Sequence, residues 1–113
     1  TKMAFVNSNE GKDVVIVAGR IDGTGTPSIT SGEGFSFVDG GTGTYTVTFD
    51  RAFDSLVAVT ATALTSNLTM HVGTITHTDG TIGPSIIFQG NAIDEGADTD
   101  VDFSFITVWQ VDT

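Results

Sequence analysis

A complete β-hairpin can be followed along residues 32–53, GEGFSFVDGGTGTYTVTFDRAF. Apolar residues alternate with polar ones on both sides of the GGTG at 40–43, namely Phe35 and Phe37 before it and Tyr45, Val47 and Phe49 after it. A period of two is typical of strands that bury one face, and a glycine-rich turn between two such runs indicates an antiparallel pair. Because a tight turn between twisted strands selects positive φ, we expect one or more of these glycines to adopt it.

The rest of the chain favours strands as well, since Thr, Val and Ile recur between frequent glycines and no window keeps a helical period over three turns. We predict strands at 14–21, 35–39, 45–49, 57–64, 68–75, 85–89 and 102–111, with a short edge piece at 28–30. Short strands at this spacing predict a single all-β domain over residues 1–113. We expect an antiparallel β-sandwich of jelly-roll type, with residues 1–12 as an N-terminal arm.

The net charge of the chain argues against two classes of binding partner, nucleic acid and anionic lipid. Lys and Arg total 4 against 14 Asp and Glu, for a formal net charge of -10, which repels nucleic acid and anionic lipid surfaces. No stretch approaches the ~20 apolar residues of a membrane-spanning helix. Neither nucleic-acid binding nor membrane insertion is therefore expected. The chain has no Cys, so its stability must come from packing or from association with other chains.

Two blocks of the sequence resemble a known family. Residues 32–64 begin with the form GxGFxVxxxGTGxYxVTFxxxF, except that Phe37 stands in the place of its first Val, and continue into an alternating Val/Ala strand. Residues 100–108 follow DxxFSFIxV. This pattern is similar to the C-terminal knob domains of bacteriophage tail fibres and related virion proteins, which are trimeric β-sandwiches similar to the C1q and tumour-necrosis-factor jelly rolls. The resemblance covers residues 14–111, and in such domains residues 65–97 would hold variable loops.

The resemblance implies a non-enzymatic structural protein of the virion, located in a tail fibre or on the capsid surface. Its implied partners are two further copies of itself and a host-surface receptor, to which it would adhere as a fibre knob. An alternative with the same fold is a capsid decoration, cement or head-fibre protein that contacts other virion proteins. Another alternative is a calcium-dependent or carbohydrate-binding module of a bacterial secreted protein.

Two predicted strands are apolar on both faces. In 103–111, Phe103, Phe105, Trp109 and Val111 share one face while Ile106 and Val108 lie on the other, and residues 14–17 are apolar throughout. In a two-sheet monomer each strand should have one face exposed to solvent. The apolar outer faces of these two strands must therefore be covered by another part of the protein. We expect another subunit of a homotrimer to supply this cover, with an interface drawn from Val15, Val17, Phe103, Phe105, Ile106, Val108 and Trp109. A loop at 82–87 or the N-terminal arm is the alternative cover.

The densest acidic cluster consists of Asp94, Glu95, Asp98, Asp100 and Asp102. DTDVD resembles the first half of a calcium loop, but the sixth position after Asp98 is Phe103, where an EF-hand needs Gly. We expect a solvated loop whose charge discourages edge-to-edge pairing, and no cofactor. The candidates for a bound cation are Asp98, Asp100 and Asp102.

His71 and His77 are the only histidines, and the residues between them include no carboxylate or thiol that would complete a metal site. Both have odd numbers along an apparent strand, with His77 near its end, where Leu68, Met70 and Val72 have even numbers. We therefore predict two imidazoles on the solvent face.

Catalysis is not expected. The chain has no GxSxG elbow and no Cys, and neither GTGTP at 23–27 nor GGTG at 40–43 leads into a helix or the Lys of a phosphate loop. Glu33, Asp50 and Asp54 could nominally form a glycosidase pair, but aspartates beside turns usually form the turn. Trp109, Tyr45 and Phe88 could stack on sugars, although Trp109 shares its register with two phenylalanines and should pack with them.

Overall fold

The computed structural model describes residues 5–9, 12–77, 83–93 and 97–112, with side chains over 13–77, 83–93 and 97–111. Within these ranges the chain forms nine strands and no helix, so none of the described segments is a long apolar helix that could cross a bilayer. The strands are β1 Phe5–Asn9, β2 Lys12–Asp22, β3 Ser28–Gly32, β4 Phe35–Asp39, β5 Thr44–Phe49, β6 Ser55–Ala63, β7 Leu68–Thr76, β8 Ser85–Ala92 and β9 Asp102–Asp112.

The strands form two antiparallel sheets. One has the order β1-β2-β9-β6, and β3 also pairs with β2; the other has the order β4-β5-β8-β7. The chain passes between the sheets four times, after β3, β5, β6 and β8, so early and late strands become neighbours: β2 pairs with β9, and β5 with β8. Two packed antiparallel sheets without a helix in the described residues confirm the predicted all-β antiparallel sandwich.

The predicted hairpin is present as β4 and β5, paired from Phe35↔Phe49 to Asp39↔Tyr45. Gly41 and Gly43 have φ of 125° and 73°, so the prediction of positive φ in this turn is confirmed. The N-terminal arm is different, because Phe5–Asn9 pairs with the first half of β2 as an added strand. The edge piece predicted at 28–30 is β3, which pairs with the second half of β2.

Aromatic side chains fill the space between the sheets. Phe53 stacks on Trp109 at 4.4 Å between ring centroids, Phe88 stacks on Phe105 at 5.3 Å, and Tyr45 lies against Phe103 at 5.1 Å. Five residues predicted at the subunit interface belong to this core, with at most 7% of their surface exposed: Val15, Val17, Phe103, Phe105 and Trp109. Their side chains face the other sheet and leave no surface for a second subunit. We therefore assign these five residues to the core and not to a subunit interface.

A bulge in β6 changes which residues point inward. The register with β9 shifts between Leu56, opposite Trp109, and Ala58, opposite Val108. Leu56, Val59, Ala61 and Ala63 pack on the core, while Val57 is 56% exposed. In the sequence, the alternation of Val57, Val59, Ala61 and Ala63 predicts that all four share one face. For Val57 this prediction was wrong, because the bulge inserts one residue and shifts the alternation.

A second irregularity lies in β7, between Val72 and Ile75. Val72 pairs with the buried Phe88 and Ile75 with the buried Ile86, so even residues face inward before the shift and odd residues after it. His71 is exposed as predicted. His77 is only part-exposed: its Nε2 lies 2.9 Å from the Phe53 carbonyl oxygen, and its ring lies 5.5 Å from that of Trp109. The prediction of a solvent-facing His77 was wrong because of this shift.

Candidate functional site

The outer surface of the five-stranded sheet is apolar at its centre. Ile16, Val108 and Ala58 lie side by side across β2, β9 and β6, and the next row holds Ala18, Ile106 and Thr60. Ile106 is 48% exposed, and Val57 from the bulge lies beside Ala58. We call this surface the outer apolar face, composed of Ile16, Ala18, Val57, Ala58, Ile106 and Val108.

An ion pair lies beyond the outer apolar face, toward the start of β9. Arg20 donates from Nε to Oδ1 of Asp102 at 3.1 Å and from Nη2 to Oδ2 at 2.7 Å. This hydrogen bonding and the charge of Asp102 raise the pKa of Arg20. Ser104 and Thr62 complete the row opposite Arg20, so the surface changes from apolar to polar within one strand repeat.

The outer surface of the four-stranded sheet has a different chemistry. Its central rows hold Thr46 opposite Ile87, and Thr48 between Ser36 and Ser85. Thr44 donates from its hydroxyl to Oε1 of Gln89 at 2.6 Å, and the exposed His71 lies opposite Gln89. Hydroxyl and amide groups therefore predominate on this surface, whereas hydrocarbon predominates on the outer apolar face.

The three cation candidates in the acidic cluster each have a different partner. Oδ1 of Asp98 accepts from Nδ2 of Asn91 at 3.1 Å, and Asp102 is held by Arg20. Oδ1 of Asp100 accepts from the Gly43 amide at 2.8 Å and from the Tyr45 hydroxyl at 3.3 Å. Among the described residues, no group of three or more His, Cys, Asp or Glu is placed to hold a metal ion. Asp94 and Glu95 lie outside the described residues.

Asp100 joins the last loop to the core. The Tyr45 hydroxyl donates to its carboxylate and accepts from the Val101 amide at 3.2 Å, so Tyr45 links β5 to the residues just before β9. Burial raises the pKa of Tyr45 to about 12, and the Asp100 carboxylate adds to the shift. The Asp100 carboxylate is thus a structural hydrogen-bond acceptor, a role that the sequence pattern did not reveal.

The remaining candidates separate into core and turn residues. Trp109, Tyr45 and Phe88 are fully buried, so none of their rings is available to a sugar. Glu33 and Asp50 are exposed in neighbouring turns, where the Asp50 amide donates to the Gly34 carbonyl at 3.0 Å. No pocket is found in the described part of the chain.

Of the seven residues predicted at a subunit interface, only Ile106 and Val108 lie on the outer apolar face. The sequence prediction missed Val57, which the bulge turns outward, and Ala58, which shares the outer face with Thr60. A signal for this region is present in the sequence, because residues 55–78 contain no Asp, Glu, Lys or Arg although the chain carries 14 acidic residues. Comparison with protein families, curated proteins and solved structures found no match for this chain.

Proposed function

We propose that this chain is a non-enzymatic structural domain of a bacteriophage virion, which forms a homotrimer and serves as a fibre knob that adheres to the host surface. The outer apolar face is the observation that carries the self-association. The virion setting is supported by the resemblance of residues 32–64 and 100–108 to tail-fibre knob domains.

The outer apolar face is suited to covering by another protein surface. Its rows cross β2, β9 and β6, so the apolar side chains are contiguous rather than scattered, and each Å² removed from water contributes roughly 25 cal/mol. The described parts of the N-terminal arm and of the loop at 82–87 do not cover the outer apolar face. Residues 5–9 extend the sheet edge as β1, and Pro84 accepts a hydrogen bond from Phe49 in the four-stranded sheet. A second copy of the chain is the cover that we propose.

The two outer surfaces suggest how the subunits are oriented. In a homotrimer the five-stranded sheets would face the neighbouring subunits, and the hydroxyl-rich surface around Thr46 and Thr48 would face solvent or a receptor. A flat polar surface of this kind keeps an assembly soluble while it offers hydrogen-bond donors and acceptors. The same orientation would serve a capsid decoration protein, which is the second candidate within this fold.

The test of self-association is sedimentation of the unmodified chain and of Ile106→Asp at micromolar concentration. We expect three times the chain mass for the parent and the monomer mass for the variant, because a buried unpaired carboxylate costs several kcal/mol. A monomeric parent would overturn the proposed assembly.

The test of location is immunogold electron microscopy of virions that carry the chain, with antibody raised against the purified domain. Labelling at the fibre tips is expected for the knob. Labelling of the shell would favour the decoration protein, and unlabelled virions would overturn both assignments.

A further inference from the structure

We propose that a second copy of this chain also covers the side of the sandwich formed by β6 and β7, so that each subunit presents two different surfaces and contacts its neighbours head to tail. This inference rests on the proposed self-association. We call the second surface the β6/β7 side; it is lined by Leu56, Val59 and Ala61 of β6 and by Leu68, Val72 and Ile75 of β7.

The first observation is that the core is incompletely covered there. β6 ends one sheet and β7 ends the other, and the two strands lie beside each other. Inward side chains of the central strands are fully buried, as in Phe88 and Phe105, whereas those on the β6/β7 side that pack on the core are only part-buried. Ile75 points inward and is still 43% exposed. Apart from the buried Met70, the inward side chains of β6 and β7 are therefore left partly exposed.

The second observation is electrostatic. A chain of net charge -10 repels its own copies, so two copies approach most readily through surfaces that carry no charge. Residues 55–78 contain no formally charged side chain, and they form both β6 and β7. Edge strands of soluble monomers commonly use charged residues to prevent association. That protection is missing from these two edges.

The third observation concerns the kind of contact. Both strands are irregular, at Leu56/Ala58 in β6 and at Val72/Ile75 in β7, and such irregularities disfavour strand-to-strand pairing at an edge. Contact through side chains is therefore expected, rather than a sheet that continues from one copy into the next.

Two unlike apolar surfaces on one subunit indicate a heterologous interface, in which the outer apolar face of one copy meets the β6/β7 side of the next. Such an interface closes into a ring when the rotation allows it, as a homotrimer requires. A face-to-face dimer would use the outer apolar face alone and leave the β6/β7 side exposed.

The test is a complementation experiment with three variants that each add one carboxylate. Ile106→Asp alters the outer apolar face, Ile75→Asp alters the β6/β7 side, and Val38→Asp is the control on the opposite sheet, where Val38 is 65% exposed. We expect the control to sediment as the parent trimer and the first two variants to be monomers when alone. Mixed in equal amounts, these two should form a heterodimer, because one intact outer apolar face then meets one intact β6/β7 side.

The other outcomes are distinct. A monomeric Ile106→Asp beside a trimeric Ile75→Asp would overturn the β6/β7 contact and leave the proposed homotrimer standing, and two monomeric variants that do not combine would also overturn it. A monomeric parent would instead overturn the proposed assembly.

Hydrogen exchange provides a measurement that does not depend on the folding of Ile75→Asp. Amides of β7, residues 68–76, should be protected in the parent trimer and should lose that protection in the Ile106→Asp monomer by a larger factor than amides of β4, which serves as the internal control. Equal changes in β4 and β7 would count against the contact.

Discussion

The indole Nε1 of Trp109 donates a 2.8 Å hydrogen bond to the hydroxyl of Thr107, two residues earlier on the same inward face of β9. The hydroxyl in turn donates to the Val17 carbonyl at 2.9 Å, and both side chains are fully buried. A polar pair can thus lie within an aromatic core without an unsatisfied group.

Replacing Thr107 by Val should lower the free energy of unfolding by about 1–3 kcal/mol, because the indole N–H would lose its buried acceptor. Thr107→Ser is the matched control and should retain most of the stability, since it keeps the hydroxyl. Urea denaturation compares the three proteins. Equal stability of Thr107→Val and the parent would show that the hydrogen bond contributes nothing net.

The β4–β5 turn should respond differently at its three glycines. An added Cβ would find open space at Gly41, whereas at Gly43 it would lie 2.7 Å from the carbonyl oxygens of Gly90 and Thr99. Gly43→Ala should therefore destabilise more than Gly41→Ala, for which backbone strain alone costs about 1–3 kcal/mol. Gly40→Ala, where the nearest atom is at an ordinary 3.5 Å, is the control and should change the melting temperature least. The reverse order of melting temperatures would contradict this account of the turn.

Alkaline pH should weaken the fold through Tyr45. Its pKa is raised by burial to about 12 from the 10.0 of a free side chain, so its contribution to stability is complete below pH 10 and is lost as pH rises toward 12. The chain has a single Tyr, so phenolate absorbance reports this residue alone.

We expect the absorbance titration to be displaced upward in the native protein relative to the urea-unfolded chain. The fall in stability between pH 10 and 12 should be smaller in Tyr45→Phe. A native titration midpoint near 10 would rule this effect out.

The stability of the protein should not depend on calcium binding to the acidic cluster, but it should depend on Asp100. Millimolar Ca²⁺ should leave the melting temperature unchanged, because Asp98, Asp100 and Asp102 are committed to three different partners. Asp100→Ala should destabilise by about 1–2 kcal/mol, since the Gly43 amide and the Tyr45 hydroxyl lose their acceptor. Asp98→Ala removes the same charge from an exposed position and is the control. A calcium-dependent rise in melting temperature, abolished in Asp100→Ala, would instead favour the calcium-dependent module.

Much of the fold could be predicted because the strand signals are local. The alternation Phe35, Phe37 and the glycines at 40–43 determine β4, its turn and β5 within a few residues, and the observed β4 has the predicted bounds. The faces of β6 and β7 could not be predicted in full. One extra residue near Val57 and an irregularity after Val72 shift the alternation. No Gly or Pro marks the first position, whereas Gly73 lies within the second and is a bulge signal that the sequence prediction did not use.

The candidate site was predicted less well than the fold, for a reason of geometry. Alternation shows that Trp109 and Val108 lie on opposite faces of β9, but it does not say which face meets the other sheet and which stays outside. That choice depends on the pairing of β9 between β2 and β6 and on the sheet that crosses behind it. The dense apolar set around Trp109 is the core, and the sparser set around Val108 is the outer face.

The pairing of β2 with β9 has a consequence for synthesis of the chain. Ile21 pairs with Phe103 and Val15 with Trp109, so the longest ladder of the protein joins segments separated by most of the sequence. Contacts of such separation form slowly, because the entropy of closing the loop is lost before the contacts stabilise the fold. Synthesis must therefore pass β9 before the apolar residues of β2 can be enclosed. Until then the nascent segment depends on its excess of acidic residues to stay apart from its copies, and assembly can only follow completion of β9.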